Sequence, residues 1–387
     1  MIGKILIVTT VPETMLTILK GQPEYLSRFF NIELVSGQEA GRNEVAAEEN
    51  LTVYLVPMVR GINPVRDVVS IFRMAALIFR IRPSLIHSYT PKAGLVSMLA
   101  GWICRTPRRV HTFTGLIFPT AYGLKRSLLI YVDRLICACA THIVPEGYGV
   151  KRDLERFGIT TKPLNVIGYG NIAGVDTEYF SPLGLDVSAR GERLRRELKI
   201  PESSRVFCFV GRLNRDKGIG ELISAFRNLP PNARLIVVGA LDKTAPVEGR
   251  ILNEIKFHPR IHLLGFLEDI RPALFISDLL VLPSYREGFP NVVLQAGAMS
   301  LPVIATDING CNEIVEPGLN GWLVPAKDSQ ALNVAMQESL SMSRPNLKKM
   351  GERARARVQE RFERFDHWGR MVGFYKSLLS FDRKSVR

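Results

Sequence analysis

The sequence predicts an α/β protein of two doubly wound parallel-sheet lobes. Three observations carry this. The chain has 387 residues, room for two domains with sizeable cores. Short apolar runs alternate with longer amphipathic stretches, the pattern of parallel strands joined by crossover helices. That alternation starts twice, at Ile5-Leu6-Ile7-Val8 and again at 206–210. An apolar fraction of 46% with 23% charged residues is ordinary for a globular chain. No low-complexity tract, heptad array or short solenoid repeat interrupts it.

Taken in order, 4–10 is the first strand. A dinucleotide-binding fingerprint would place Gly-x-Gly-x-x-Gly next. The chain has Thr9-Thr10-Val11-Pro12-Glu13-Thr14 there and no glycine before Gly21, which argues against a nicotinamide or flavin dehydrogenase. A helix is expected at 16–29 and strands at 32–36 and 51–56. A helix at 65–81 carries Arg66, Arg73 and Arg80 seven positions apart. At ~100° per residue these share one face, either the solvated side of a helix covering a sheet or a basic face for anionic lipid. The strand at 85–89 ends in polar residues, and the strand at 109–113 runs into Thr114-Gly115. Ligands of parallel α/β sheets meet the carboxyl ends of strands. His87, Lys92, His111 and Thr114 are therefore candidates for contact with a ligand. A lone histidine near a strand is more often a satisfied structural residue. A helix at 128–142, a strand at 143–145, a helix at 150–157 and a strand at 165–169 complete a first lobe spanning 1–183. The second lobe, 184–365, has expected strands at 206–210, 235–238, 261–264, 279–282 and 303–305. Its helices are expected after Gly218 and at 247–257, 269–276, 291–299, 329–341 and 346–362.

Net charge is +14 and unevenly placed. Residues 56–134 hold twelve Lys or Arg and two acids, Asp67 and Asp133. From Arg344 onward thirteen basic residues face five acidic ones. Such asymmetry suggests an anionic partner: a membrane surface, a pyrophosphate lipid or nucleic acid. No aromatic platform is interleaved with the basic residues, which weighs against nucleic acid. The five cysteines form no Cys-x-x-Cys pair and read as free thiols of a reducing compartment. The start of the chain enters a strand directly, unlike a signal peptide, and no apolar run reaches the ~18–20 residues of a membrane span. A cytoplasmic place, peripheral on the cytosolic face of the inner membrane, is the expectation.

The most informative stretch is Ser284-Tyr285-Arg286-Glu287-Gly288-Phe289-Pro290-Asn291, which follows the apolar run 279–282. It reads as strand, tight turn, helix. Such a turn aims backbone N–H groups and the positive end of a helix dipole at one spot, a ready anion site. Glu287 beside it would repel a phosphate and suits sugar hydroxyls better. One site for an anion and a polyol suggests a nucleotide sugar. The pattern alone also admits an ordinary connection with a solvated glutamate. Upstream, Arg212 and Lys217 follow a strand between Gly211 and Gly218. A guanidinium can bind an anion bidentately and an ammonium adds a compact charge, with an exposed basic turn as the alternative.

These motifs resemble the donor site of family 4 retaining glycosyltransferases. The resemblance runs from Val210-Gly211-Arg212-Leu213 and Asp216-Lys217-Gly218, through Ser284 to Met299, to Pro302-Val303-Ile304-Ala305-Thr306-Asp307. It continues in Gly310, Glu313, Gly318 and Asn320-Gly321-Trp322-Leu323-Val324-Pro325. It implies the GT-B fold, two Rossmann-like lobes facing a cleft, with a last helix at 366–387 returning to the first lobe. It implies Glu287, Arg212 and Lys217 as catalytic residues, with Gly211, Gly288, Phe289, Pro290, Asn291 and Gln295 at the donor. No cofactor or metal is expected, since Arg212, Lys217 and the helix end replace a divalent cation. Two departures stand out. Relatives carry a His-Gly pair where Thr114-Gly115 stands, so Thr114 bears on sugar choice or leaves His111 to take the role. A second glutamate of the family is Gln295 here, whose amide oxygen still accepts from a hydroxyl. The expected activity is hexosyl or N-acetylhexosaminyl transfer from a UDP-sugar to a lipid-pyrophosphate-linked acceptor in bacterial capsule, O-antigen or similar glycan assembly. A soluble acceptor, a sugar-nucleotide epimerase of the same fold and a non-catalytic binding module are the alternatives.

Overall fold

The computed structural model describes residues 3–37, 40–59, 61, 63–242 and 246–380. The chain divides into two compact units, Met1–Gly174 with Arg364–Arg387, and Val175–Glu363. The last seven residues of the expected C-terminal segment lie outside the described residues.

The first unit is one parallel sheet of β1 (Lys4–Val8), β2 (Asn31–Ser36), β3 (Val53–Leu55), β4 (Leu85–Tyr89), β5 (Arg108–Phe113) and β6 (His142–Pro145). Its order is β3-β2-β1-β4-β5-β6. Helices cover both faces, and the central strand β1 accordingly reads as an apolar run from Ile5 to Val8. Alternation along β1 sends Leu6 and Val8 to one layer and Ile5 and Ile7 to the other. The layer on Leu6 is closed by Met74 and Ile78 of the Pro64–Ile81 helix, Val96 of the Pro91–Ile103 helix and Ile136 of the Gly123–Cys139 helix. The opposite layer is closed by Leu26 and by Met371, Tyr375 and Leu378 of the final helix, Arg364–Ser380.

The second unit repeats the winding. Its strands are β7 (Arg205–Val210), β8 (Ala233–Val238), β9 (Ile261–Gly265), β10 (Leu279–Leu282), β11 (Val303–Thr306) and β12 (Gly321–Val324). They run parallel in the order β12-β11-β10-β7-β8-β9. Each sheet therefore reverses its direction of growth once, between β1 and β4 and between β7 and β10. Ligands of open α/β sheets bind outside the carboxyl ends at such a reversal.

Four local expectations need correction. The single helix at 16–29 is broken: a wide turn, Thr14–Ile18, is followed by a short helix, Gln22–Ser27. Gly21 makes the break with φ +77°, and the buried Glu49 carboxylate accepts from the N–H groups of Gly21 (2.7 Å) and Glu24 (3.0 Å). No strand forms at 165–169. Leu164 makes one bridge to Ile143, and the Gly170 N–H then turns back to the Ile167 carbonyl at 3.2 Å. A sixth strand, β12, forms beyond the five expected in the second lobe; it pairs with β11 from Val303↔Gly321 to Thr306↔Val324. The units part after Gly174, ahead of the expected boundary at 183. The Val175 N–H donates to the Phe362 carbonyl (2.8 Å), and the Arg355 guanidinium donates to the carbonyls of Thr177 and Phe180, which ties this segment to the second unit.

Asp133 lies only 8% exposed on the Gly123–Cys139 helix, and burial pushes its carboxyl up to about 7 from 3.8. The folded chain thus holds a proton that the unfolded chain releases between those values. Its contribution to stability falls as pH rises through that window. Asp133→Asn should gain stability relative to the parent between pH 4 and pH 8, by an amount on the order of a few kcal/mol. Urea unfolding across that range checks this, and a pH-independent difference would contradict it.

Candidate active site

The carboxyl ends of β7 and β10 flank the reversal of the second sheet. Beyond β7 the chain is carried across to β8: the Gly211 N–H donates to the Val238 carbonyl (2.9 Å) and the Leu213 N–H to Ala240 (2.8 Å). Asn214 then caps a tight turn over Arg215–Lys217, its Oδ1 accepting from the Lys217 N–H at 3.0 Å. Gly218 closes the turn with φ +68°, and a Cβ there would sit 2.0 Å from the Pro283 carbonyl oxygen. Only glycine allows so close an approach. The Tyr285 N–H donates to the Asp216 carbonyl (2.8 Å), and Arg286 pairs with the Asp216 carboxylate (3.1 Å). The loops after β7 and β10 are thereby joined along their backbones.

That junction brings two site residues together. Lys217 Nζ lies 2.5 Å from Glu287 Oε1, with the side chains 21% and 13% exposed. Cys311 lies beside the pair, fully buried, and burial pushes its thiol well up. Arg212 stands apart at 65% exposure, its Nη1 donating to Asp242 Oδ2 at 2.7 Å. The same oxygen accepts from Asn214 Nδ2 at 3.1 Å. Gly288 leads to Phe289 and Pro290, both buried; the Phe289 ring packs on Phe362 with centroids 5.5 Å apart. The Phe289 side chain is thus an anchor for the turn, and what it offers a ligand is backbone. The Asn291–Ala298 helix follows at once, with Asn291 in its first turn and Gln295 half-buried on the next.

Two comparisons bear on this arrangement. The model of the glycosyl transferases group 1 family matches residues 191–357, and that of the glycosyl transferase 4-like domain matches residues 24–170. The chain belongs to the family 4 glycosyltransferases. A capsular polysaccharide biosynthesis glycosyltransferase, CapM of Staphylococcus aureus, is 28% identical over 97% of both chains. The Escherichia coli UDP-Gal:alpha-D-GlcNAc-diphosphoundecaprenol alpha-1,3-galactosyltransferase is 26% identical over 77% of both. The crystal structure of Anabaena HepE with UDP-glucose is 20% identical, covering 97% of this chain and all of that one, with a TM-score of 0.81. The fold is GT-B.

In this glycosyltransferase the other expected residues sit in the first unit, and two of them are withdrawn. His87 is wholly buried: Nδ1 meets Tyr375 Oη at 2.6 Å, Nε2 meets Thr112 Oγ1 at 2.7 Å, and the ring stacks on Tyr89. His111 is 1% exposed with Nδ1 on Ser88 Oγ at 2.8 Å, and burial brings its imidazole down to about 3. Both are neutral core side chains lying within their strands, not beyond them, so neither reaches an acceptor or sugar. Lys92 is taken by Asp67, both carboxylate oxygens lying 2.6 Å from Nζ. Thr114 keeps its place, half-buried one residue past β5. Among the described residues no group of three or more His, Cys, Asp or Glu is arranged to hold a metal.

Two polar residues of the second unit escaped the reading of the sequence, and the burial of a third was not foreseen. Asp242 orients Arg212, and Asn214 shapes the Lys217 turn. The third, Ser284, is wholly buried one residue beyond Pro283, and its Oγ has no hydrogen-bond partner. The strand-end rule that singled out Arg212 also covers Asp242, just past β8; nothing in the sequence marked Asn214 as a polar anchor or Ser284 as buried.

Gly218→Ala should lower stability by about 1–3 kcal/mol through backbone strain and weaken nucleotide binding. Gly220→Ala, with nothing within 4 Å of its Cβ position, should change neither. Urea unfolding and nucleotide titration of both variants check this, and equal behaviour would refute the constraint.

Proposed function

We propose that this glycosyltransferase moves a sugar, with retention at the anomeric carbon, from a UDP-sugar to a lipid-diphosphate-linked glycan acceptor in surface polysaccharide assembly. The Lys217–Glu287 pair at the sheet reversal is the observation that carries the reading. Cleavage of a glycosyl diphosphate leaves charge on the diphosphate and positive character on the sugar. Arg212 and Lys217 supply fixed positive charge for the first. Glu287 accepts from sugar hydroxyls, and its carboxylate lies where an incoming anion would separate it from Lys217. The Asn291–Ala298 helix adds backbone donors at its first turn. Support for the nucleotide comes from the UDP-Gal in the Escherichia coli relative's name and the UDP-glucose bound in HepE. Support for the acceptor comes from the undecaprenyl diphosphate named for that relative and for a Campylobacter jejuni relative 24% identical over 70% of this chain.

Thermal unfolding against UDP-, GDP-, CMP- and dTDP-sugars tests the donor. A ligand at ~100 times its Kd should add roughly 2.7 kcal/mol, with the UDP-sugars giving the shift and Arg212→Ala losing it. With the donor known, Lys217→Ala should lower kcat/KM for transfer on the order of 100- to 1,000-fold. Equal shifts with all four nucleotides would overturn the donor assignment. Transfer to a water-soluble glycan as efficient as to the lipid diphosphate would overturn the acceptor, and a β-linked product from an α-linked donor would overturn retention.

A further inference from the structure

The Pro64–Ile81 helix is apolar on two opposite faces. Met74, Ile78 and Ile81 are buried in the core of the first unit. At ~100° per residue, Val65, Val68, Phe72 and Phe79 fall on the other side, where they are 76%, 50%, 69% and 71% exposed. A helix that only covers a sheet needs one apolar stripe and turns polar residues outward. This one has a second stripe about as long as the helix itself.

The charge beside that stripe has a single sign. Arg66, Arg73 and Arg80 run along one flank, all exposed. The guanidinium groups of Arg66 and Arg73 meet no carboxylate among the described residues, and that of Arg80 lies over the Tyr54 ring at 5.5 Å. The helix's one acid, Asp67, is turned away and neutralised by Lys92, with side chains 13% and 11% exposed. Near the far end of the helix, Phe79, Arg82, Cys104 and Arg105 line a cavity of about 350 Å³. Trp102 and Ile103 of the neighbouring helix are 59% and 54% exposed. A second copy of this face would set arginine against arginine, so the charge argues against self-association. Aromatic and branched side chains beside uncompensated guanidinium groups match an anionic bilayer, where apolar groups enter the acyl boundary and cations meet lipid phosphates.

We propose that the outward face of the Pro64–Ile81 helix lies in the surface of an anionic phospholipid bilayer. Val65, Val68, Phe72 and Phe79 enter the acyl boundary, and Arg66, Arg73 and Arg80 bind phosphates. This rests on the reading of a lipid-borne acceptor for its purpose and not for its physics, since the face binds vesicles that carry no acceptor.

Co-sedimentation of the full chain with phosphatidylcholine vesicles, with and without phosphatidylglycerol, tests it at low and high salt. The parent should pellet with the anionic vesicles only. Phe72→Ser with Phe79→Ser should weaken binding at least tenfold. Arg66→Gln, Arg73→Gln and Arg80→Gln together should weaken it on the order of a hundredfold at low salt and remove most of its salt dependence. Both variants should keep the parent's circular dichroism melt and its thermal shift with donor, which separates lost docking from lost folding. Equal pelleting with neutral vesicles, or unchanged binding in both variants, overturns the proposal. So does conversion of a dimer to a monomer by the aromatic substitutions with vesicle binding intact. Docking that survives while the lipid diphosphate is refused as acceptor would count against the acceptor reading alone.

Discussion

The ammonium of Lys217 and the carboxylate of Glu287 are held 2.5 Å apart by a glycine. Gly218 lets the loop after β7 press on the Pro283 carbonyl, and everything else at the site follows from that contact. Two loops that leave different strands of the sheet become one surface. Two opposite charges end up mostly out of water, where each needs the other. The arrangement suits exchange. On the proposed reading, a diphosphate would offer Lys217 new oxygens and a sugar would offer Glu287 new hydroxyls, so neither group would be left uncompensated when both parts of one ligand arrive together. Arg212 differs in kind: it is largely exposed and pairs with Asp242, apart from the Lys217–Glu287 contact.

The two sheets share a winding order but use their strand ends differently. In the second unit the polar groups stand beyond the strands, in loops. In the first unit the histidines stand within β4 and β5 and are consumed by internal bonds. His87 is gripped by Thr112 on one side and Tyr375 on the other, an imidazole serving as a core connector. Burial favours the uncharged ring of His87.

Much of this was legible in the residues themselves. The apolar runs at 5–8, 206–210 and 279–282 became central strands because parallel strands are buried on both faces and must be apolar throughout. Glu287, Arg212 and Lys217 drew attention in the sequence because loops at strand ends carry few packing duties, so a charged residue there stands out. What stayed hidden depended on partners distant in the chain. The Gly21 break needs Glu49 to accept its N–H, and β12 needs the edge of β11 before four residues headed by a glycine become a strand. The burial of His87 and His111 was equally invisible, since a position at a strand end and one a few residues inside it look alike until the layers above them are known. The Pro64–Ile81 helix was foreseen with its arginine row, while its second apolar face emerged only once the first had been assigned to the core.

The final helix has a consequence for how the molecule comes into being. Tyr375, Met371 and Leu378 lie against the layer of Ile5 and Ile7, so the opening strands and their cover sit at opposite ends of the chain. During synthesis the first sheet leaves the ribosome with part of one flank uncovered beside Leu26, and it stays so while the second unit is made. That second unit, closed within Val175–Glu363, has every piece it needs before translation stops. The polypeptide is therefore finished out of order: its middle can mature first, and its beginning waits for its end.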